Sequence, residues 1–398
     1  MAHASLKILL LSFYYTPDIG PGPVRAKSIV DALVDTGGSS VEVEVLTTQP
    51  NRYQTLDISA LSVERAGNVV IKRFPLPAHK SGMADQAKAF TAFARAVLSS
   101  TKDRRSDVVV ATSSRLMTAA LGAWVAKRSG AKLYLDIRDL FTDTMEDVLA
   151  KSPLRSLMPI FYWLERKTFR AADKINVVSA GFIPHIQNIS SNLKLSSFTN
   201  GIDEDFLGQD FTSAKVTSIP TVLYAGNMGD GQGLHNIIPE VALPLQGKVR
   251  FRLIGDGGKR QLLENLLAQK SISNVQLLNP VPRSKLFVEY QDADILFLHL
   301  NDFKAFRKVL PSKIFEYAAT GKPILAGVGG YAADLLRDQV PGVGVFEPCD
   351  SVAMQASLQR LLDGPRIIDR SEFCSRYLRK NIMREMATDI LSLSDVPA

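Results

Sequence analysis

The strongest constraint in this sequence is a series of short, uninterrupted apolar runs, each followed by a stretch with helical spacing. Lys7–Ser12 (KILLLS), Asp107–Ala111 (DVVVA), Lys132–Asp136 (KLYLD) and Lys174–Val178 (KINVV) are apolar almost throughout. Such strands must be covered on both faces, which a parallel sheet between helices provides. Val24–Val34, Gln86–Leu98 and Thr118–Arg128 supply the helical spacing. Val41–Leu46 and Val69–Phe74 are further candidate strands. The second half repeats this grammar without a sequence repeat of fixed period. Its strands are Thr221–Tyr224, Val249–Ile254, Val275–Leu278, Ile295–Leu298 and Ile324–Ala326. Its helices are Gly233–Val241, Lys259–Gln269, Lys285–Gln291, Lys313–Thr320 and Ala332–Arg337. With 398 residues, the pattern predicts two doubly wound α/β domains in tandem. The polar stretch Ser190–Ser218, with Asn200-Gly201, is the expected linker. The domains are placed at 1–200 and 201–370. The amphipathic C-terminal stretch, 371–398, is free to pack back on the first.

Charge narrows the partners. Residues 1–200 carry 25 Lys and Arg against 17 Asp and Glu, while residues 201–398 carry 22 against 23. One basic half beside a neutral one suggests an anionic surface, either nucleic acid or lipid. A nucleic-acid reading lacks an aromatic-and-basic recognition motif and ranks last. Two cysteines, Cys349 and Cys374, are too few for a disulfide framework and fit a reducing cytosol. No apolar run approaches the ~18 residues of a membrane span, and the N-terminal MAHASLKILLLSFYY reads as a first strand. The five histidines, His3, His79, His185, His235 and His299, show no ligand spacing, so no metal site is expected.

Candidate site residues lie just beyond the strands, where open parallel sheets bind ligands. Asp18–Pro23 is a Gly-Pro loop before a helix. Gly20 and Gly22 allow close backbone approach, and Arg25 sits in the first helical turn; the alternative is a tight turn needed for geometry alone. Asp136, Arg138 and Asp139 follow a buried strand, to position hydroxyls and phosphate or to form an ion pair among themselves. Gly226, Asn227 and Gly229 follow one strand of the second half, and Gly255 follows another. In Leu310-Pro311-Ser312-Lys313-Ile314-Phe315-Glu316, Ser312 fits an N-cap, and the helix start with Lys313 would favour phosphate. Glu316 could accept ribose hydroxyls, or close an imperfect capping box with Ser312. The basic, aromatic Lys151–Lys174 suits a helix at a membrane surface, or a packed helix with a solvated basic face.

Taken in order, the motifs resemble a known family. SFYYTPDIGPGPVRAKSIVDAL, LYLDIRDL, NVVSAGF, FTNGID, YAGNMGDGQGL, LIGDGGKR, NVQLLNPVP, ADILFLHL and LPSKIFEYAATGKPILAG are similar to the successive blocks of the retaining GT-B glycosyltransferases, family four (group 1). The PSK-x-x-EY-x-A-x-GKP block resembles the bacterial O-antigen and capsule branch, which includes N-acetylfucosaminyl transferases. The resemblance implies two Rossmann-like domains facing a central cleft. By matching position it assigns Glu316 to the ribose, Asn227 and Gly229 to the diphosphate loop, and Pro280 and Val281 to the base. Gly20 and Gly22 match the loop facing sugar and phosphate, and Asp139 the acceptor side. Four positions depart from the family. Lys308 stands where a first glutamate is usual, Asn227 and Gln232 where Arg and Lys are usual, and Arg138 where histidine is frequent. Lys313, Arg138 and Lys308 are then the candidates to neutralise phosphate. Asp139, Arg138 and Lys313 are the catalytic candidates. Gly226, Gly255, Leu310 and Ser312 complete the nucleotide-sugar set.

The expected activity is transfer of a hexosyl or N-acetylhexosaminyl unit from a UDP-sugar to a lipid-linked glycan, with no cofactor beyond the sugar nucleotide. It would occur at the inner face of the plasma membrane, on an anionic lipid surface. A nucleotide-sugar 2-epimerase of the same fold and a non-catalytic nucleotide-binding partner are the competing readings.

Overall fold

A computed structural model of the chain describes residues 5–18, 20–51, 59–77, 83–113, 115–149, 152–212 and 218–394. Lys151, His3 and His79 lie outside the described residues. The chain divides into two compact units, Met1–Asn200 with Arg379–Ala398, and Gly201–Leu378.

The first unit is built on strands β1 (Leu6–Ser12), β2 (Val41–Thr48), β3 (Val63–Ala66), β4 (Val69–Phe74), β5 (Val108–Ser113), β6 (Lys132–Ile137), β7 (Lys174–Val177) and β8 (Leu195–Ser196). They pair in the order β3-β4-β2-β1-β5-β6-β7-β8. All pairs are parallel except β3 with β4. The apolar runs occupy the middle: Ile8 stands between Val43 and Val108 in register, and every residue of β5 is buried. Helices Pro21–Gly37, Met83–Ser100 and Leu116–Ser129 cross over between strands. The edge hairpin β3–β4 includes a strand the apolar pattern does not reveal, because Val63–Ala66 is largely exposed.

The second unit contains β9 (Thr221–Ala225), β10 (Arg250–Ile254), β11 (Val275–Leu278), β12 (Ile295–His299), β13 (Ile324–Gly327) and β14 (Val343–Phe346). Their order is β11-β10-β9-β12-β13-β14, parallel throughout. Core clusters on the two faces centre on Leu223, Leu296 and Phe315, and on Val222, Phe251 and Phe297. In both sheets the strand order turns back once, between β1 and β5 and between β9 and β12. Connections leave these neighbours in opposite directions, which opens a crevice at their carboxyl ends.

The C-terminal stretch is not one element. Ser371–Arg376 stays with the second unit, where Phe373 stacks on Phe315 and meets Tyr377 with ring centres 4.5 Å apart. The helix Arg379–Leu391 packs on the first unit instead, burying Ile382, Met383, Met386 and Ile390. The division at Leu378 therefore falls later than the expected 370. Ser190–Ser218 is likewise no simple linker, since it contains β8 and the helical turn Glu204–Leu207.

A buried post ties the first unit together. Arg25 and Asp136 are both fully buried and form a two-pronged pair at 2.9 and 2.8 Å. Arg25 also donates to the carbonyls of Thr199 and Phe198, and Asn176 and Thr112 donate to Asp136. Burial pushes the Asp136 carboxyl up, but Arg25 and these hydrogen bonds more than offset it and hold it below its ordinary range. Removing one partner of a buried pair strands the other charge, at a cost of about 3–5 kcal/mol. Arg25→Ala is expected to lower the first unit's unfolding free energy by that amount, read from a denaturant titration. R25M/D136L, which removes both charges, is expected to recover much of it in the same titration.

Candidate active site

In the first unit the loop after β1 leads through Gly20 (φ 138°) into the helix Pro21–Gly37. Gly22 is buried in its first turn, and a Cβ there would lie 2.5 Å from Nη1 of Arg138. The glycine thus makes room for a guanidinium against the helix start. Two sources of positive potential coincide: the amide ends of a 17-residue helix and a permanent cation. That is a place for an anion. Arg138 enters it because its backbone N–H continues the β5–β6 pairing, donating to the Ser113 carbonyl. The neighbouring Asp139 is exposed. Desolvation, partly offset by the nearby Arg138, leaves its carboxyl raised to about 6. Arg25 and Asp136 are corrected by the structure: they are the buried post, out of reach of any ligand.

In the second unit the loop after β9 carries Gly226, Asn227 and Gly229. Asn227 Nδ2 donates to Gln232 Oε1 at 2.8 Å, and the Gly229 N–H approaches the same oxygen at 3.3 Å. The two neutral residues at the positions where the family usually carries cations therefore close the loop on itself. Gly255 serves this loop from the next turn. It adopts φ 151°, and a Cβ would sit 1.8 Å from the Gly226 carbonyl oxygen. The Met228 N–H donates to the Asp256 carbonyl at 2.8 Å. The two glycine turns are thus one packed structure, and Gly255 acts through contact with Gly226.

The helix Lys313–Ala319 connects β12 to β13. Ser312 precedes it but makes no side-chain capping bond, so neither the N-cap nor the capping box forms. Lys313 Nζ instead meets Glu316 Oε2 at 2.6 Å and Tyr290 Oη at 3.0 Å, and Tyr290 Oη donates to Glu316 Oε2 at 3.2 Å. Burial disfavours the Lys313 charge, but Glu316 outweighs it and its pKa rises. Burial and then Glu316 push the Tyr290 hydroxyl well above its ordinary value, so it stays a hydrogen-bond donor. The next tyrosine, Tyr317, accepts from the backbone N–H of Ala225 at 3.2 Å and fixes the cluster to the end of β9. Leu310 is buried in the core, so its side chain is unavailable to a ligand. Pro280 is exposed, and Val281 and Lys308 are half-buried. Among the described residues no group of three or more His, Cys, Asp or Glu is placed to hold a metal ion.

Sequence reasoning did not find Tyr290, or the layer behind the loop. His299, at the end of β12, is 2% exposed. Its Nδ1 donates to the Gln232 carbonyl at 2.6 Å, and its Nε2 accepts from the Cys349 N–H at 3.0 Å. Asn301 donates to the Asp230 carbonyl at 2.9 Å. The only signal in the sequence is a lone polar residue ending an apolar strand. Burial lowers the His299 pKa to about 4, against the raising effect of the Gln232 carbonyl. Between the ordinary value of about 6.5 and that lowered value, only the unfolded chain binds this proton, so stability falls as pH falls. Melting followed from pH 7.5 to 4.5 should show the second unit losing a few kcal/mol. His299→Gln should start less stable at pH 7.5 and show a shallower pH slope.

Residues 22–189 match the glycosyl transferase 4-like domain, and residues 209–381 match the glycosyl transferases group 1 domain. The chain is 24% identical to WcaI of Escherichia coli K12, assigned as a glycosyl transferase of colanic acid biosynthesis, across 97% of this chain and 100% of that one. Sucrose-phosphate synthase of Thermosynechococcus elongatus has a similar fold, with a TM-score of 0.76 and 15% identity over 98% of this chain and 99% of that one. HepE of Anabaena, solved with UDP-glucose, gives 0.67 and 14% over 97% and 99%. Two tandem domain matches, the parallel two-unit architecture and these neighbours place the chain in the group 1 glycosyltransferases, family four, of the GT-B fold.

Proposed function

We propose that this glycosyltransferase moves a hexosyl or N-acetylhexosaminyl unit from a UDP-sugar to a hydroxyl of a polyprenyl-diphosphate-linked glycan, in bacterial cell-surface polysaccharide synthesis. The observation that carries the reading is the Lys313–Glu316–Tyr290 cluster, fixed to the end of β9 beside the Gly226–Gly233 loop. Both bonds to Glu316 fall on Oε2, which leaves Oε1 to accept ribose hydroxyls. Lys313 spends two of its three N–H donors on Glu316 and Tyr290. The third is available to a phosphate oxygen. WcaI's assignment to colanic acid and HepE's complex with UDP-glucose support the choice of pathway and nucleotide.

In this reading the bond from the sugar C1 to phosphate breaks as the acceptor oxygen attaches from the same face. The acceptor proton passes to the departing phosphate oxygen, so configuration is retained without a side-chain base. Lys313 and the loop amides stabilise the charge that develops on the diphosphate. In the first unit, Arg138 with Gly20 and Gly22 receives an anionic group, and Asp139 the acceptor hydroxyl. The acceptor's lipid anchor implies work at a membrane surface. No helix among the described residues is long and apolar enough to cross one.

A thermal-shift series with UDP and UDP-sugars tests the assignment. UDP should raise the wild-type melting temperature. Glu316→Ala should weaken UDP binding by about 10–100-fold, the cost of losing hydrogen bonds to a charged group. Equal stabilisation of both proteins would show that the ribose sits elsewhere.

A further inference from the structure

Both tryptophans of the chain, Trp124 and Trp163, stand on the surface of the first unit, 50% and 58% exposed. They come from adjacent helices, Leu116–Ser129 and Met158–Arg170, and line one groove of about 620 Å³. Lys127, Arg128 and Lys167 line the same groove, and among the described residues no carboxylate does. Lys167 Nζ lies 4.8 Å from the Trp163 ring centre, and the Arg128 guanidinium carbon 5.9 Å from that of Trp124. The apolar surface continues along the second helix and the turn before it. Leu154, Leu157 and Ile160 are exposed there at three-residue steps that lead to Trp163. The opposite face of that helix buries Met158, Thr168 and Phe169. The outward apolar stripe is therefore additional to what folding requires.

The geometry points to this groove as the docking site for an anionic lipid bilayer. An indole is an interfacial side chain, with an apolar body for the acyl boundary and a polar N–H for the headgroups. Lysine and arginine beside it meet lipid phosphates, each contributing attraction at an anionic surface. Arg155, Arg166 and Arg170, on the same helical segment, are exposed as well. An apolar protein partner would cover the indoles but strand the cations, and a polyanion would do the reverse. An anionic bilayer satisfies both. The inference deepens the membrane part of the proposed function and rests on it for its purpose, yet it is tested without any sugar.

Because both tryptophans of the chain line the groove, emission excited selectively from tryptophan reports on this site alone. The full chain is mixed with vesicles of phosphatidylcholine, with or without phosphatidylglycerol, at about 0.1 M salt. The expected result is a blue-shifted emission and flotation with the phosphatidylglycerol vesicles only. W124A/W163A should no longer float, while keeping the wild-type melting temperature and its shift with UDP. K127Q/K167Q should bind about tenfold or more weakly. Three results would overturn the assignment: no blue shift with anionic vesicles, flotation unchanged in W124A/W163A, or a blue shift without lipid that tracks protein dimerisation. A UDP shift retained in a protein that ignores vesicles sinks the docking site alone. Docking without a UDP shift sinks the sugar-nucleotide reading alone.

Discussion

A parallel sheet offers a ligand only one kind of place, the carboxyl ends of strands where the order turns back. That constraint places the candidate site residues of both units. In the first it selects the loops after β1, β5 and β6, which hold Gly20, Gly22, Arg138 and Asp139. In the second it selects the loop after β9 and the segment between β12 and β13, which hold Asn227, Lys313 and Glu316. The apolar strands that force the sheet to be parallel thereby fix where chemistry occurs. The Arg25–Asp136 post belongs to the same logic. It joins the first helix to β6 and to the Phe198–Thr199 carbonyls beneath the loops, so both elements that present Gly22 and Arg138 share one anchor.

The fold was legible because burial on both faces leaves an unambiguous trace. All eleven strands expected from apolar runs are present, with ends moved by a residue or two. The missed strands, Val63–Ala66, Leu195–Ser196 and Val343–Phe346, lie at sheet edges. Edge strands need only one buried face or none, and their sequences do not stand out. The site was legible in outline only. Spacing identified the turns, but which charges meet depends on contacts far apart in sequence. Arg25 pairs with Asp136 across 111 residues, and Arg138 lies against Gly22, not against Asp136. Local rules also misled. Ser312 has the composition of an N-cap, yet Lys313 and Glu316 satisfy one another and Tyr290, and the serine makes no cap.

Under the proposed function, the second unit would meet a diphosphate differently from its family's usual pattern. A diphosphate brings at least two negative charges, and a loop with arginine and lysine would meet them directly. Here Asn227 and Gln232 bond to each other, and His299, neutral and buried, holds Gln232 from behind. The loop is pre-shaped, and its one carboxylate, Asp230, pairs with Lys259 at 3.4 Å. A protonated His299 would place a buried charge behind it and lose its acceptor for the Cys349 N–H. Its depressed pKa therefore preserves the shape of the loop. Lys313 remains as the cation of the cluster, and it is already partnered.

That partnership decides what kind of ligand the cluster favours. Lys313 and Glu316 together carry no net charge, so a bare anion gains little by approaching and meets the Glu316 carboxylate as well. A ligand with a phosphate and a hydroxyl pair gains at both ends, because the phosphate accepts a hydrogen bond from the lysine's third N–H while the hydroxyls donate to Oε1. Each contact polarises the ion pair in the direction that strengthens the other. Tyr290 keeps this geometry rigid, since its raised pKa secures it as a donor to Oε2. In the proposed function, selectivity for a nucleotide over inorganic phosphate would come from a pair that is neutral at rest and dipolar toward its ligand.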